Sequence, residues 1–232
     1  MCGRFAVIQS QDDLADLFEI ERVAEDVPPP SYNIAPTERV PVVLESAKEG
    51  SEGRRLEGAR WGLVPSFAKD ISVGVRAFNA RVETIATNGM FKTAYVKRRA
   101  IVPAAGYYEW QKLADGKQPY FLHPADGSPL AFAGLYEWWK NPADGQWLLS
   151  TTIITRPATG ELEEIHDRMP LFLAPELWGD WLDPRSKPSE ELVQHALDAG
   201  SRIGDGFELR PVGSAVGPTR NKIDDPSLLE PV

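Results

Sequence analysis

The sequence predicts an α+β fold, mostly antiparallel β with a few flanking helices, forming a single compact domain over residues 1–232. Three observations carry that expectation. Ala-Asp-Gly recurs at 114–116, 125–127 and 143–145, where glycine readily takes positive φ and aspartate tolerates it, as hairpin turns require. Strand-like apolar runs flank these turns, at 106–111, 119–123, 130–139 and 146–155, and suggest an antiparallel meander. Overall the chain reads as many short strands with few helices. At 232 residues, the chain is long enough to bury a sizeable core.

In chain order, a first strand is expected at 3–8. A helix follows at 11–20, with Ser10 as its cap and Asp13 three residues on. The proline-rich stretch 27–36 reads as a rigid loop, too short for a domain linker. Strands are expected at 39–45 and 54–63, a helix near 88–97, then the strand runs above. Helices at 175–182 and 189–199, the latter after Ser189, precede a last strand at 207–212.

Lys and Arg number 25 against 34 Asp and Glu, a formal net charge of −9, which taken alone argues against a nucleic-acid binder. The charge is unevenly spread. Residues 11–30 hold seven acids and one base, whereas 81–99 hold Arg81, Lys92, Lys97, Arg98 and Arg99 against Glu83. Beyond a Debye length of about 8–10 Å distant charge is screened, so that basic segment can attract phosphate locally, or can be a solvated helix end. A single cysteine excludes an internal disulfide and every multi-cysteine zinc site, and makes a reducing cytoplasm the expected compartment. No metal or cofactor is expected. No apolar run approaches the roughly 18 residues of a membrane span, and the N-terminal pattern is not that of a signal peptide.

Cys2 draws the chemistry to itself by position. A lone cysteine is ordinarily a small buried hydrophobe. At residue 2, removal of Met1 would give it an α-amine and a thiol on adjacent carbons, with pKa values of about 8 and about 8.5. Such a 1,2-aminothiol condenses with an aldehyde to an imine and then closes a five-membered thiazolidine. The same residue could serve as the nucleophile of a hydrolase.

Other candidates are less sharp. His166 lies in a polar cluster, with Asp167 and Arg168, that leads into an apolar strand; it reads as a general acid or base, or as a surface turn. His123 and His195 suggest no role. Glu109 stands in the aromatic run Gly106-Tyr107-Tyr108-Glu109-Trp110. Burial there would raise its pKa and suit it to acid catalysis, whereas a solvent-facing strand position would not. Asn79-Ala80-Arg81 offers an amide to orient a nucleophile and a guanidinium for phosphate. Trp61, Phe67, Phe78, Arg81, Met90, Phe91, Lys92 and Tyr95 interleave aromatics with cations, which suits a single-stranded nucleic-acid groove or a core.

Seven motifs occur in order: Met1-Cys2-Gly3-Arg4-Phe5, Tyr32-Asn33-Ile34-Ala35-Pro36, Trp61-Gly62-Leu63-Val64-Pro65, Asn79 to Thr84, Gly106 to Trp110, His166-Asp167-Arg168-Met169-Pro170, and Pro211-Val212 with Ala215-Val216-Gly217. Together they resemble the SOS response-associated peptidase (SRAP) family of abasic-site-processing proteins, over nearly the whole chain. The resemblance implies a barrel-like β core, a positively charged groove, and covalent trapping of abasic sites in single-stranded DNA. Carried onto this sequence, Cys2 becomes the nucleophile once Met1 is removed by the protein's own peptidase-like activity. Asn79 orients the cysteine, Glu109 acts as general acid and base, and His166 assists proton transfer at the sugar oxygen. Arg4, Arg81 and Arg168 hold phosphates or sugar, and Asn33, Pro36, Phe67, Met90, Phe91 and Lys92 line the DNA path. The partner implied is single-stranded DNA with abasic sites, bound by a cytoplasmic, nucleoid-associated monomer with no membrane role. An imine intermediate also admits β-elimination, hence a lyase side activity. The sequence departs from the family pattern at Phe67, where an aromatic pair is common, and at Gly89, basic in some members. Two other functions fit parts of this set: a thiol autopeptidase acting on peptides, and a non-covalent single-stranded DNA-binding module.

Overall fold

The computed structural model describes residues 2–47 and 53–232. In chain order these form β1 (Arg4–Val7), α1 (Gln11–Leu17), β2 (Arg22–Val23), β3 (Ser31–Ile34), β4 (Arg39–Glu45), β5 (Arg54–Trp61) and β6 (Asn79–Arg81). Then come α2 (Lys92–Lys97), β7 (Arg99–Ala104), β8 (Gly106–Leu113), β9 (Gly116–Pro124), β10 (Leu130–Lys140) and β11 (Trp147–Pro157). The chain continues through β12 (Arg168–Pro170), α3 (Trp178–Leu182), α4 (Glu190–Gly204) and β13 (Phe207–Pro211).

One sheet closes on itself. Its strands run β11-β10-β7-β4-β5, and β5 returns to pair in parallel with β11 through Arg60–Ser150 and Trp61–Thr151. Closure removes two sheet edges and yields a five-stranded barrel, with β6 and β12 also paired to β11 and β2 to β5. The expected barrel-like core is present. A second, antiparallel sheet of five strands, β13-β9-β8-β1-β3, packs against it.

The predicted meander is corrected by this topology. Turns at Gly116 and Gly145, with φ of 156° and 74°, do close the hairpins β8–β9 and β10–β11. Gly127, at φ 73°, reverses the chain too, but the strands on either side pair into different sheets. A turn fixes only the local reversal, whereas partner choice depends on which edges the rest of the chain supplies. The proline-rich loop likewise contains β3, which finds the edge of β1.

Two helix starts are set by local side-chain caps. Ser10 and Asp13 form a reciprocal capping box on α1, and Ser189 caps α4. The helix expected at 88–97 is α-helical only from Lys92.

β1 is the element that matters for the site. It is buried along its length, and Phe5 packs edge-on against Trp61 at 4.9 Å and against Phe132 at 5.9 Å. Those rings belong to barrel strands β5 and β10, so one side chain ties the second sheet to the barrel. Truncating a ring so enclosed costs about 3–5 kcal/mol. The residue three positions before it is Cys2.

Candidate active site

Cys2 lies just ahead of β1, fully buried, with its thiol donating to the Arg4 carbonyl at 3.8 Å. β1 pairs with β8 in the register Arg4–Tyr108, Phe5–Tyr107 and Ala6–Gly106. Continued one step outward, that register brings Gly3 opposite Glu109. The sequence thereby delivers its N-terminal cysteine to the one carboxylate of the aromatic run.

Electrostatics agree with this placement. Burial pushes the Cys2 thiol well above its ordinary pKa, and the neighbouring Glu109 charge adds to the shift. Burial also pushes the Glu109 carboxyl up to about 7. Tyr107, raised by its own burial, feels the charges of both Cys2 and Glu109. Sequence reasoning passed over Tyr107, although it sits two residues from Glu109, a spacing that puts both on one face of a strand.

Asn79 approaches from the barrel. As the first residue of β6 it pairs beside Ile153 of β11, and its Nδ2 donates to the Cys2 carbonyl at 2.7 Å. The contact is to the backbone of the cysteine, not to the thiol or amine that Asn79 was expected to orient. Its Oδ1 is enclosed without a hydrogen-bond partner among the described residues, so an acceptor stands ready in the site.

His166 is brought in by a hook. Gln111, on the Glu109 face of β8, donates to the Glu164 carbonyl at 3.1 Å and holds the segment that leads to the histidine. Burial lowers the His166 pKa. The Arg168 N–H donates to His166 Nδ1 at 3.0 Å, so the neutral ring carries its proton on Nε2. Asp167 Oδ1 lies 2.9 Å from the same nitrogen and becomes its acceptor on protonation. The Asp167 charge is also felt by Glu109 and adds to the rise in its pKa.

A groove of about 340 Å³ opens at Asn79, lined by Arg76, Phe78, Asn79, Arg81, Thr84, Asn88 and Phe91. Two exposed arginines and no carboxylate stand among those residues, so the groove is locally basic although the chain as a whole is acidic. Arg76 and Asn88 carried no signal in the sequence.

The remaining expected DNA contacts divide in three dimensions. Arg81 and Lys92 are exposed, Pro36 is half-buried, and Phe67 stands out at 72% exposure. Phe91 is buried yet walls the groove, and Met90 packs half-buried on the core. Arg4 and Asn33 are buried and bonded within the protein. Buried guanidinium needs acceptors, and Arg4 takes Asn33 Oδ1 at 2.6 Å and the carbonyls of Val216 at 2.6 Å and Gly217 at 3.0 Å. Asn33 is fully enclosed and spends its amide on the Ile223 carbonyl. Together they lace the C-terminal segment to β1 and β3. Arg168 is also largely committed, gripping Glu83 with two bonds of 2.5 and 3.0 Å and the Thr155 carbonyl at 2.8 Å. Among the described residues no group of acids, histidines and cysteine is arranged to hold a metal ion.

Comparison with known proteins gives a consistent picture. Residues 1–219 match the model of the family described as SOS response associated peptidase. The chain is 36% identical over 234 residues to the abasic site processing protein YoqW of Bacillus subtilis, covering 99% of each. It is 35% identical over 237 residues to the abasic site processing protein YedK of Escherichia coli, covering both chains completely. A crystal structure of a protein from Bacteroides thetaiotaomicron has the same fold, with a TM-score of 0.81 at 21% identity over the whole of both chains.

Proposed function

Because the chain belongs to the SOS response associated peptidase family, we propose that it processes abasic sites in single-stranded DNA, by linking Cys2 covalently to the exposed aldehyde. The observation that carries this is the position of Cys2. Asn79 holds its carbonyl at the mouth of a basic groove, while a carboxyl with a pKa of about 7 lies beside its thiol.

The chemistry follows in balanced steps. Hydrolysis of the Met1–Cys2 peptide bond consumes one water and frees the Cys2 amine. An abasic sugar opens to its aldehyde when the hydroxyl on C1′ loses a proton and the ring oxygen gains one. His166 Nε2–H is the donor to that oxygen. The amine adds to C1′, and the carbinolamine loses water as protonated Glu109 gives its proton to the departing hydroxyl. The thiol then adds to the carbon of the protonated imine, forming the C–S bond, and its proton passes to the Glu109 carboxylate, which is restored as the acid. One water leaves overall, and a thiazolidine remains. A carboxyl near pKa 7 is matched to both directions of transfer at neutral pH. Arg76 and Arg81 hold the flanking phosphates, and exposed Phe67 offers a face on which a base can stack.

One copy suffices for this reaction, so the working unit is taken as a monomer, one domain over 1–232. Among the described residues no helix is long and apolar enough to cross a membrane. The test is incubation with an abasic single-stranded oligonucleotide followed by denaturing electrophoresis. A slower-migrating adduct is expected from the unaltered chain and none from Cys2→Ala. Equal adduct from both would overturn the proposal. The family description favours a second activity at the same residues, self-cleavage after Met1. Mass spectrometry of the N-terminus separates it from host processing, since Cys2→Ala should then retain Met1.

A further inference from the structure

A second concavity lies away from Cys2. About 740 Å³ in volume, it is walled by Arg55, Lys97, Arg98, Tyr136, Trp138 and Trp147, with Ser46, Ala47 and Pro184 at its margin. Its size is that of a ligand site. Tyr136, Trp138 and Lys140 share one face of β10 at every second position, and Trp147 is the direct cross-strand partner of Lys140. The Lys140 ammonium sits 5.9 Å from the Trp147 ring. Trp138 and Trp147 are 37% and 63% exposed, unusual for indoles with no role at the surface.

The two arginines are held in place by carboxylates that lie outside the concavity, and Lys97 beside them is exposed. Arg98 is tethered to Glu137 at 2.6 Å and Arg55 to Glu57 at 3.2 Å, neither glutamate lining the concavity. The Nε of each arginine is enclosed with no hydrogen-bond partner among the described residues. Two guanidinium groups and an ammonium beside two indole faces call for a ligand with both negative charge and flat rings.

We infer that this concavity is a second contact for single-stranded DNA, in which an undamaged nucleotide stacks on Trp147 and Trp138 while its phosphate meets Lys97, Arg98 and Arg55. The inference rests on the DNA-processing role proposed above. Continuity argues for DNA over other anionic partners. Phe91 walls the first groove and Lys97 the second, and α2 joins them. Along α2 that separation is about 9 Å at 1.5 Å per residue, the reach of about three stacked nucleotides. The basic segment 81–99 therefore feeds both surfaces, with Arg81 in one and Lys97 and Arg98 in the other.

The test compares undamaged oligonucleotides of about 5 and about 15 nucleotides by fluorescence anisotropy. The unaltered chain should bind the longer one more tightly than added length alone explains. Trp147→Ala and Lys97→Glu should each remove that gain, weakening the longer oligonucleotide about five-fold or more while leaving the shorter one unchanged. Both variants should crosslink a short abasic oligonucleotide as the unaltered chain does. If both variants bind the two lengths normally, the second contact does not exist. Quenching of tryptophan fluorescence by an acidic peptide, with none by the longer oligonucleotide, would instead assign the concavity to a protein partner and overturn the inference. Absence of any crosslink with the unaltered chain would sink the proposed function, and the length comparison would still decide this one.

Discussion

Replacing Glu109 by glutamine should abolish activity and stabilise the protein at the same time, with a pH signature that identifies the cause. Glu109 is 3% exposed, and burial holds its carboxyl at about 7 in the folded state. In the unfolded chain the same group titrates near 4.3. The raised folded value means that the native state binds the proton more tightly. Stability is therefore full below about pH 4.3 and declines as pH rises towards 7, above which the loss is constant. At 1.36 kcal/mol per unit, the ionised carboxylate costs about 3–4 kcal/mol at pH 8. Glutamine keeps the shape and does not titrate. Urea denaturation of both proteins should show a stability difference, glutamine variant minus unaltered chain, that rises by about 3 kcal/mol between pH 4 and pH 8. Crosslinking should meanwhile fall by about 10²-fold or more in the variant, the ordinary contribution of a general acid. In the unaltered chain the rate should drop about five-fold between pH 7 and pH 8 as the protonated fraction shrinks. A stability difference flat across that range would refute the argument, because it would place the folded pKa at its unfolded value.

Further expectations concern the groups around it. Asn79→Ala removes the donor to the Cys2 carbonyl and should cost about 1 kcal/mol of stability but at least about 10-fold in crosslinking rate, measured in single turnover. Phe5→Ala should lower stability by about 3–5 kcal/mol in denaturant melts, since the ring joins the two sheets. Arg81→Ala should reduce the slope of log affinity against log salt by about one, while Arg4→Met should leave that slope alone and expose the 214–232 segment to limited proteolysis. His166 has its pKa lowered by burial, so the neutral ring persists to lower pH and the acid limb of the rate profile should lie below about 6.5.

Fold signals that act within a few residues were readable in the sequence. Glycine at positive φ in the Ala-Asp-Gly turns, and the serine caps of α1 and α4, stand where local stereochemistry puts them. β6, β7 and β12 were not read as strands. β6 and β12 are three residues each and gain their identity only by pairing with β11. β7 begins with Arg99, which looks like a surface cation but is buried with its guanidinium on the carbonyls of Trp181, Asp183 and Ser186.

The place of Cys2 at the N-terminus, its solitude, and the order of the seven motifs were determined by the sequence alone, because covalent connectivity is what a sequence records. From that came the expectation of aminothiol chemistry and the resemblance to the family. Which arginine does what was decided only by the tertiary structure. Arg4 braces the C-terminal segment, Arg99 anchors the chain around α3, Arg168 grips Glu83, and Arg81 alone of these four is exposed on the groove. A guanidinium is the same group in each case. Its role depends on whether folding surrounds it with carbonyls or leaves it facing water, and residues far apart in the chain supply those carbonyls.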